Sequence, residues 1–358
     1  MPWKKKHPTI KDIAEISGFS IGTVDRALHN RGEINAQTKR KILEVAKTLG
    51  YETNYVASAL SRKKPLVFAA IFPRELHYFY NDIRRGFLEA VERLRNFKVV
   101  PLLRDIESLG KGEEEALEAL LHEEISGVVF VPGHRSRFNQ LIDRFAERDI
   151  PVVTVSTDAP LSKRLTTICV NPRKNGELAG ELMSHFVPRG SKVAVMVGSL
   201  EIEDHLQKVE GFKEALARAS QEIHLLGILE NQEDEEKARQ NFQEMLWHHP
   251  DLNGVYIATA NSVAIGKVLE ERNSGGNLKV IATDLFDEMI PYLEKGVIHA
   301  TIFQNPYRQG FEATMSLFRY LVEGVTLPTY SYLEPIVVMR SNLEFYLQGR
   351  ENSRGRLC

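Results

Sequence analysis

Two apolar runs in the second half of the chain each end on a polar side chain. KVIATD closes on Asp284 and ATIFQ on Gln304. A polar group at the end of a buried strand needs a hydrogen-bonding partner. Asp158 follows PVVTVS, Asn261 follows GVYIATA, and His205 precedes the Gly-Phe pair of VEGFKEAL. Phe79 and Tyr80 follow LVFAAIF and precede an amphipathic segment. Carboxylate, amide, imidazole and aromatic faces in these places suit holding a small molecule by hydrogen bonds and stacking. There is no GxGxxG, GxxxxGK[ST] or HExxH. His248 and His249 are adjacent, so they do not share a face as i, i+4 metal ligands do. Cys169 and Cys358 supply neither a disulfide framework nor a CxxC site. Cys169, in an apolar run, reads as buried filler. No enzyme, cofactor or metal is expected.

A second chemistry lies at the other end. In TIKDIAEISGFSIGTVDRAL, Ile10, Ile13, Ala14 and Ile16 recur at helical spacing against Lys11, Asp12 and Glu15. Gly18 stops that helix, and Ser20 is a good N-cap for the next, through Thr23, Val24, Arg26, Ala27 and Leu28. A third helix is expected from Ala36 to Leu49, with Ile42, Val45, Ala46 and Leu49 inward and Gly50 as its stop. Two short helices joined by a glycine turn make a helix-turn-helix, whose second helix enters the DNA major groove. Asn54 then reads as an N-cap for Tyr55 to Arg62, a helix too short to stand alone. Ala57 and Leu60 share one of its faces. Lys63, Lys64 and Pro65 end it.

Charge follows the same division. Residues 1–64 hold 13 Lys and Arg against 6 Asp and Glu, and the remainder holds 33 against 42. A basic head suits phosphate, and an acidic body stays off it. The lysines of MPWKKKHPT precede no apolar signal-peptide core, and no apolar run is long enough to span a bilayer. A cytoplasmic protein without membrane contact is the expectation.

The elements that position the first set of residues alternate. Strands are expected at LVFAAIF, KVVPLL, GVVFVP and PVVTVS, then at KVAVMVG, IHLLGIL, GVYIAT, KVIATD and ATIFQ. Each is rich in Val and Ile and apolar on both faces, as parallel strands covered by helices must be. Amphipathic segments such as NDIRRGFLEAVERL separate them. The fold class is therefore an all-α helix-turn-helix head joined by a hinge helix to two doubly wound α/β lobes. Ligands in such sheets lie at the carboxyl ends of the strands, where loops of both lobes face a cleft.

The blocks TIKDIAEISGFS, TVDRAL, TKRKILEVAKTLGY and NYVASAL resemble, in one register, the DNA-binding end of the lac repressor/galactose repressor family. The two lobes resemble the type I periplasmic binding-protein fold, the effector domain of that family. The resemblance implies a ligand-responsive transcription regulator, most simply a repressor, with double-stranded operator DNA and a small-molecule effector as partners. It implies a head at residues 1–53 and a hinge helix and linker at 54–65. Lobe one would take 66–170 and 305–328, with a late return on the helix from Pro306. Lobe two would take 171–304 and 329–346, leaving 347–358 as a polar tail. It places Thr9, Ser20, Ile21, Gly22, Thr23, Arg26 and Asn30 against DNA, with Asn54, Tyr55, Ala57 and Leu60 in the hinge. Leu60 would wedge into the minor groove, the unstacking being offset by the contacts of a bent duplex. Phe79 and Tyr80 match the aromatic pair that stacks on sugar rings in ribose-type binding proteins. Asp284 and Gln304 match the second-lobe polyol ligands.

Several positions depart from the family pattern. Leu206 stands where an arginine usually precedes Gly-Phe, with Lys208 nearer that pair. Ala260-Asn261 replaces Asn-Asp, and Asn171-Pro172 replaces Asp-Asn. The pyranose clamp is altered, while a hydroxyl-rich ligand, a sugar or polyol, remains the expectation. Gly22 has no side chain to read a base with, so Ile21 senses shape or a thymine methyl. The tail after Leu347 has no heptads to build a tetramerisation zipper, so a homodimer is expected on a two-fold operator. The two lobes alone also fit a solute-binding transport component. The head argues against that.

Overall fold

The computed structural model describes residues 8–28, 34–51, 64–74, 77–219, 222–259, 261–271 and 278–347. Among the described residues the head has three helices: α1 (Ile10–Ser17), α2 (Ile21–Leu28) and α3 (Ala36–Thr48). Thr9 caps α1 in a capping box with Asp12, and Gly18 ends it at φ 76°, a left-handed turn that only glycine takes freely. Ile13, Val24, Ala27, Ile42 and Ala46 form the core of this unit. The inward face of α1 is Ile13 and Ser17, and Ile16 is 59% exposed. Ile16 was expected inward. The pair that faces α2 and α3 is spaced by four residues, which turns Ile16 to the flank.

The body begins with β1 (Leu66–Pro73), α4 (His77–Arg93), β2 (Val99–Ile106), α5 (Glu113–Leu120), β3 (Gly127–Phe130), α6 (Asn139–Ala146), β4 (Val152–Val155) and β5 (Thr166–Val170). The second lobe holds α7 (Pro172–Phe186), β6 (Lys192–Val197), α8 (Glu203–Arg218), β7 (His224–Glu230), α9 (Glu235–His248), β8 (Leu252–Ile257), α10 (Ser262–Glu271), β9 (Lys279–Thr283), α11 (Ile290–Glu294) and β10 (Ala300–Phe303). Then come α12 (Pro306–Leu321), β11 (Tyr330–Leu333) and β12 (Ile336–Val338). The first sheet has the order β11-β5-β4-β3-β1-β2 and is parallel throughout. The second has the order β12-β10-β9-β8-β6-β7, parallel except for β12 on β10. Phe68, Ala70 and Phe72 of β1 join one hydrophobic cluster, and Ala69 and Ile71 join another on the opposite face. Burial on both faces is why these strands read as unbroken apolar runs.

Two helix crossings set the lobes. A Cβ on Gly86 of α4 would lie 1.9 Å from the Tyr307 carbonyl oxygen, and one on Gly310 of α12 would lie 2.0 Å from that of Ile83. In lobe two, Gly176 of α7 and Gly211 of α8 meet the carbonyls of Lys208 and Arg173 at 1.9 and 2.0 Å in the same way. Only glycine permits this approach.

The expected boundaries need one correction. Residues 329–346 were assigned to lobe two, yet β11 pairs with β5 in the lobe-one sheet, from Tyr330 on Thr167 to Leu333 on Val170. β5 would otherwise be an exposed edge, and the returning chain covers it before crossing to β12. Strands β5, β11 and β12 are additions to the expected set. They are short and flanked by polar or aromatic residues, so periodicity shows them weakly.

Candidate functional site

The carboxyl ends of the lobe-two strands converge on a polar cage. Asp284 follows β9 at φ 70°, a conformation uncommon outside glycine, and is 4% exposed. Its backbone N–H donates to the Ile302 carbonyl, 2.9 Å away. Gln304 donates its Nε2 to both carboxylate oxygens, at 3.1 and 3.0 Å. Asn175 of α7 donates to Gln304 Oε1 at 3.3 Å and accepts from the Tyr256 hydroxyl at 3.0 Å. Burial pushes the Asp284 carboxyl up to about 7, although the Lys208 cation and Gln304 pull the other way.

The first turns of α8 supply the next part. Lys208 Nζ lies 2.6 Å from Asp204 Oδ2, both side chains being buried. His205 Nε2 lies 3.2 Å from Glu233 Oε1, and Thr259 donates to Glu233 Oε2 at 2.5 Å. Gly198 makes that meeting possible. A Cβ there would stand 2.0 Å from Glu233 Oε1 and 2.8 Å from His205 Cε1. Gln232 and Glu233 both have positive φ, which folds the chain after β7 back into the cage. Asn231 Oδ1 accepts from the Glu233 N–H at 3.1 Å and from Asn261 Nδ2 at 3.3 Å. Among the described residues, three buried polar atoms of this cage have no hydrogen-bond partner: Asp204 Oδ1, Asn231 Nδ2 and Asn261 Oδ1.

Lobe one closes over the cage. Tyr80 is buried, and its hydroxyl is held protonated by burial and then by Glu233, Asp204, Asp284 and Glu113. Tyr80 therefore lies within electrostatic reach of the lobe-two carboxylates. Phe79 packs edge-to-face on Tyr80, with centroids 5.1 Å apart, within the hydrophobic cluster. At the mouth, Tyr78 stacks on Phe286 of lobe two at 4.1 Å and 16°, and its hydroxyl donates to Glu235 at 3.3 Å. A cavity of about 170 Å³ opens there beside Asn81, Arg85 and Glu288. At the far side the Asp204 N–H meets the Thr157 hydroxyl at 3.5 Å, and the Arg135 N–H donates to the Glu201 carbonyl at 3.1 Å. The cleft is closed.

The structure brings Tyr80, His205, Asn261, Asp284 and Gln304 together, as the sequence suggested. Asp158 is a correction. Its Oδ1 accepts from Thr154, Thr167, the Ala159 N–H and Arg164, and its Oδ2 accepts from Arg164 at 2.6 Å. With both oxygens engaged it braces the ends of β4 and β5; Arg164 holds its carboxyl below the usual range against the effect of burial. Asp204, Glu233, Asn231, Asn175 and Tyr78 were not foreseen. Glu233 sits in the acidic run NQEDEE, which reads as a solvated face, and only the positive φ values turn it inward.

In the head, Ser20 accepts from the Thr23 N–H at 3.2 Å and starts α2. Ile21 is 51% exposed, and Gly22 and Arg26 are exposed beside it. Arg26 Nε donates to the Gly22 carbonyl at 3.2 Å, which lays the guanidinium along the outer face of α2. The Thr9 hydroxyl is occupied by Asp12. Asn30, Asn54, Tyr55, Ala57 and Leu60 lie outside the described residues.

Comparison with known proteins covers both halves. Residues 68–324 match the family model described as periplasmic binding protein domain, and residues 9–54 match that of bacterial regulatory proteins, lacI family. Catabolite control protein A of Staphylococcus xylosus is 24% identical over 349 residues, 94% of this chain and 98% of that protein. The HTH-type transcriptional regulator DegA of Bacillus subtilis is 26% identical over 214 residues, 59% of this chain and 61% of that protein. Among solved structures, GanP, a glucose-galactose binding protein from Geobacillus stearothermophilus, superposes with a TM-score of 0.72 at 26% identity, covering 78% of this chain and 99% of that one.

Proposed function

This chain belongs to the lacI family of bacterial regulatory proteins, with a periplasmic binding protein domain as its body, and from that premise we propose that the closed cleft is the effector site that controls its hold on DNA. The protein is a ligand-responsive, DNA-binding transcription regulator. The observation that carries the site is the set of buried atoms without partners, Asp204 Oδ1, Asn231 Nδ2 and Asn261 Oδ1, in one cage between the lobes. A buried polar atom without a partner costs roughly 1–3 kcal/mol. Hydroxyls of a small molecule both donate and accept, so a sugar or polyol is the natural class of ligand to satisfy two acceptors and one donor.

The mechanism is a population shift. Ligand contacts from both lobes favour the closed cleft. Closure carries β1, α4 and their neighbours relative to lobe two, and a homodimer of lobe-one faces would pass that movement to the two heads. The chain works as a repressor in the cytoplasm, where operator DNA is found. Among the described residues no helix is long and apolar enough to cross a membrane. Thermal unfolding in the presence of sugars and polyols tests the site. A compound that binds the native state raises the melting temperature, and it should cease to do so in Asp284→Asn. If the same compound shifts both proteins equally, the site lies elsewhere.

A further inference from the structure

The cage carries more acid than base. Asp204, Glu233 and Asp284 are 6%, 8% and 4% exposed and enter from α8, the turn after β7 and the end of β9. Lys208 pairs with Asp204, and His205 faces Glu233. With both of those pairs set aside, the Asp284 carboxylate has a neutral amide, Gln304, as its direct partner. Lys208 also attracts it, but that cation is held by Asp204. From lobe one Tyr80 meets the same excess, with Glu113 added. A buried charge that lacks an opposite charge is costly, and either a proton or a bound cation relieves it.

A second observation says where a donor goes. Asp204 Oδ1 is buried and unpartnered, although Oδ2 of the same group holds Lys208, and Asn261 Oδ1 is unpartnered too. Both are acceptors. A hydroxyl offers one proton to such atoms, whereas an ammonium offers three and a charge. The mouth agrees in character. The stacked rings of Tyr78 and Phe286 stand beside Glu235 and Glu288; Arg85 lines the same cavity, paired with Asp82, and the carboxylates there outnumber it. Among the described residues no group of three or more His, Cys, Asp or Glu is placed to hold a metal ion.

We propose that the effector carries a protonated amine beside its hydroxyls, and that the ammonium sits against Asp284 and the free oxygen of Asp204. This rests on the cleft being the effector site. Amino sugars and amino polyols are the matching classes.

The test uses the full chain and matched probes: glucosamine against glucose and N-acetylglucosamine, and 1-amino-1-deoxysorbitol against sorbitol. Thermal shift finds the binders and calorimetry ranks them. At least one amine should bind at least tenfold more tightly than its neutral counterpart. Asp284→Asn should erase that preference, and Asp204→Asn should weaken it. The amine is wrong, and the cleft assignment stands, if neutral members bind as well as the amines in the wild type and lose affinity in Asp284→Asn. A panel in which no amine shifts the melting temperature also overturns it. If neither amines nor a broad set of neutral polyols bind, while operator DNA still does, the cleft assignment falls as well.

Discussion

Gln304 grips Asp284 with a single nitrogen, 3.1 and 3.0 Å from the two carboxylate oxygens, across the ends of two adjacent strands. The amide thereby fixes the plane of the carboxylate. Hydrogen bonds to a charged acceptor contribute about 1.5–3 kcal/mol. Asp284→Asn keeps the shape and replaces one acceptor by a donor. It should lower effector affinity at least tenfold in calorimetry while ligand-free operator binding persists. Unchanged affinity would make the carboxylate purely structural.

Asp284 also predicts a pH dependence. Its folded value of about 7 lies above the ordinary 3.8. From about pH 4 to pH 7 the unfolded chain has lost this proton while the folded chain keeps it. Stability from this group is therefore full at low pH and falls as pH rises through that window, by at most about 4 kcal/mol. Effector binding that uses the carboxylate should strengthen from pH 6 to pH 8. Urea unfolding at pH 5 and pH 8 checks the first effect, and Asp284→Asn should flatten the difference. An equal difference in wild type and variant assigns the pH dependence to other groups.

Gly198 is where packing meets the site. Gly198→Ala places a methyl 2.0 Å from Glu233 Oε1. Overpacking of this kind costs about 1–3 kcal/mol. The variant should melt earlier, and effector affinity should fall because the Glu233–His205 pair is displaced. A variant with wild-type affinity would show that this pair stands outside the site.

Arg26 tests the head. It is exposed on α2, in the helix that enters the major groove, and Gly22 beside it offers only a carbonyl. Arg26→Ala should weaken specific operator binding by about 1–3 kcal/mol. A gel-shift titration with no loss removes it from the interface.

Some of this was legible in the residues alone. Asp284 and Gln304 stood out because each ends an apolar run, and a polar side chain there has to emerge into a cleft. The head was legible because Thr9, Gly18 and Ser20 punctuate it chemically. Asp158 misled for the same reason that Asp284 did not. It too follows a strand, but Arg164, six residues on, folds back and consumes it, and no spacing rule shows a bidentate partner. Glu233 and Asn231 were hidden by backbone. Positive φ at non-glycine residues turns them inward, and local sequence carries almost no sign of it. The sheet assignment of β11 failed because an edge strand of four half-exposed residues has little periodicity, and its place depends on the open flank of β5.

The most direct measurement is an operator-binding titration of wild type and Asp284→Asn, with and without the ligand that thermal shift identifies. Ligand should change wild-type operator affinity at least fivefold, a usual size for allosteric coupling. At the same ligand concentration it should leave Asp284→Asn unmoved. An equal response in both proteins, or none in the wild type at saturating ligand, would contradict control of DNA binding by this cleft.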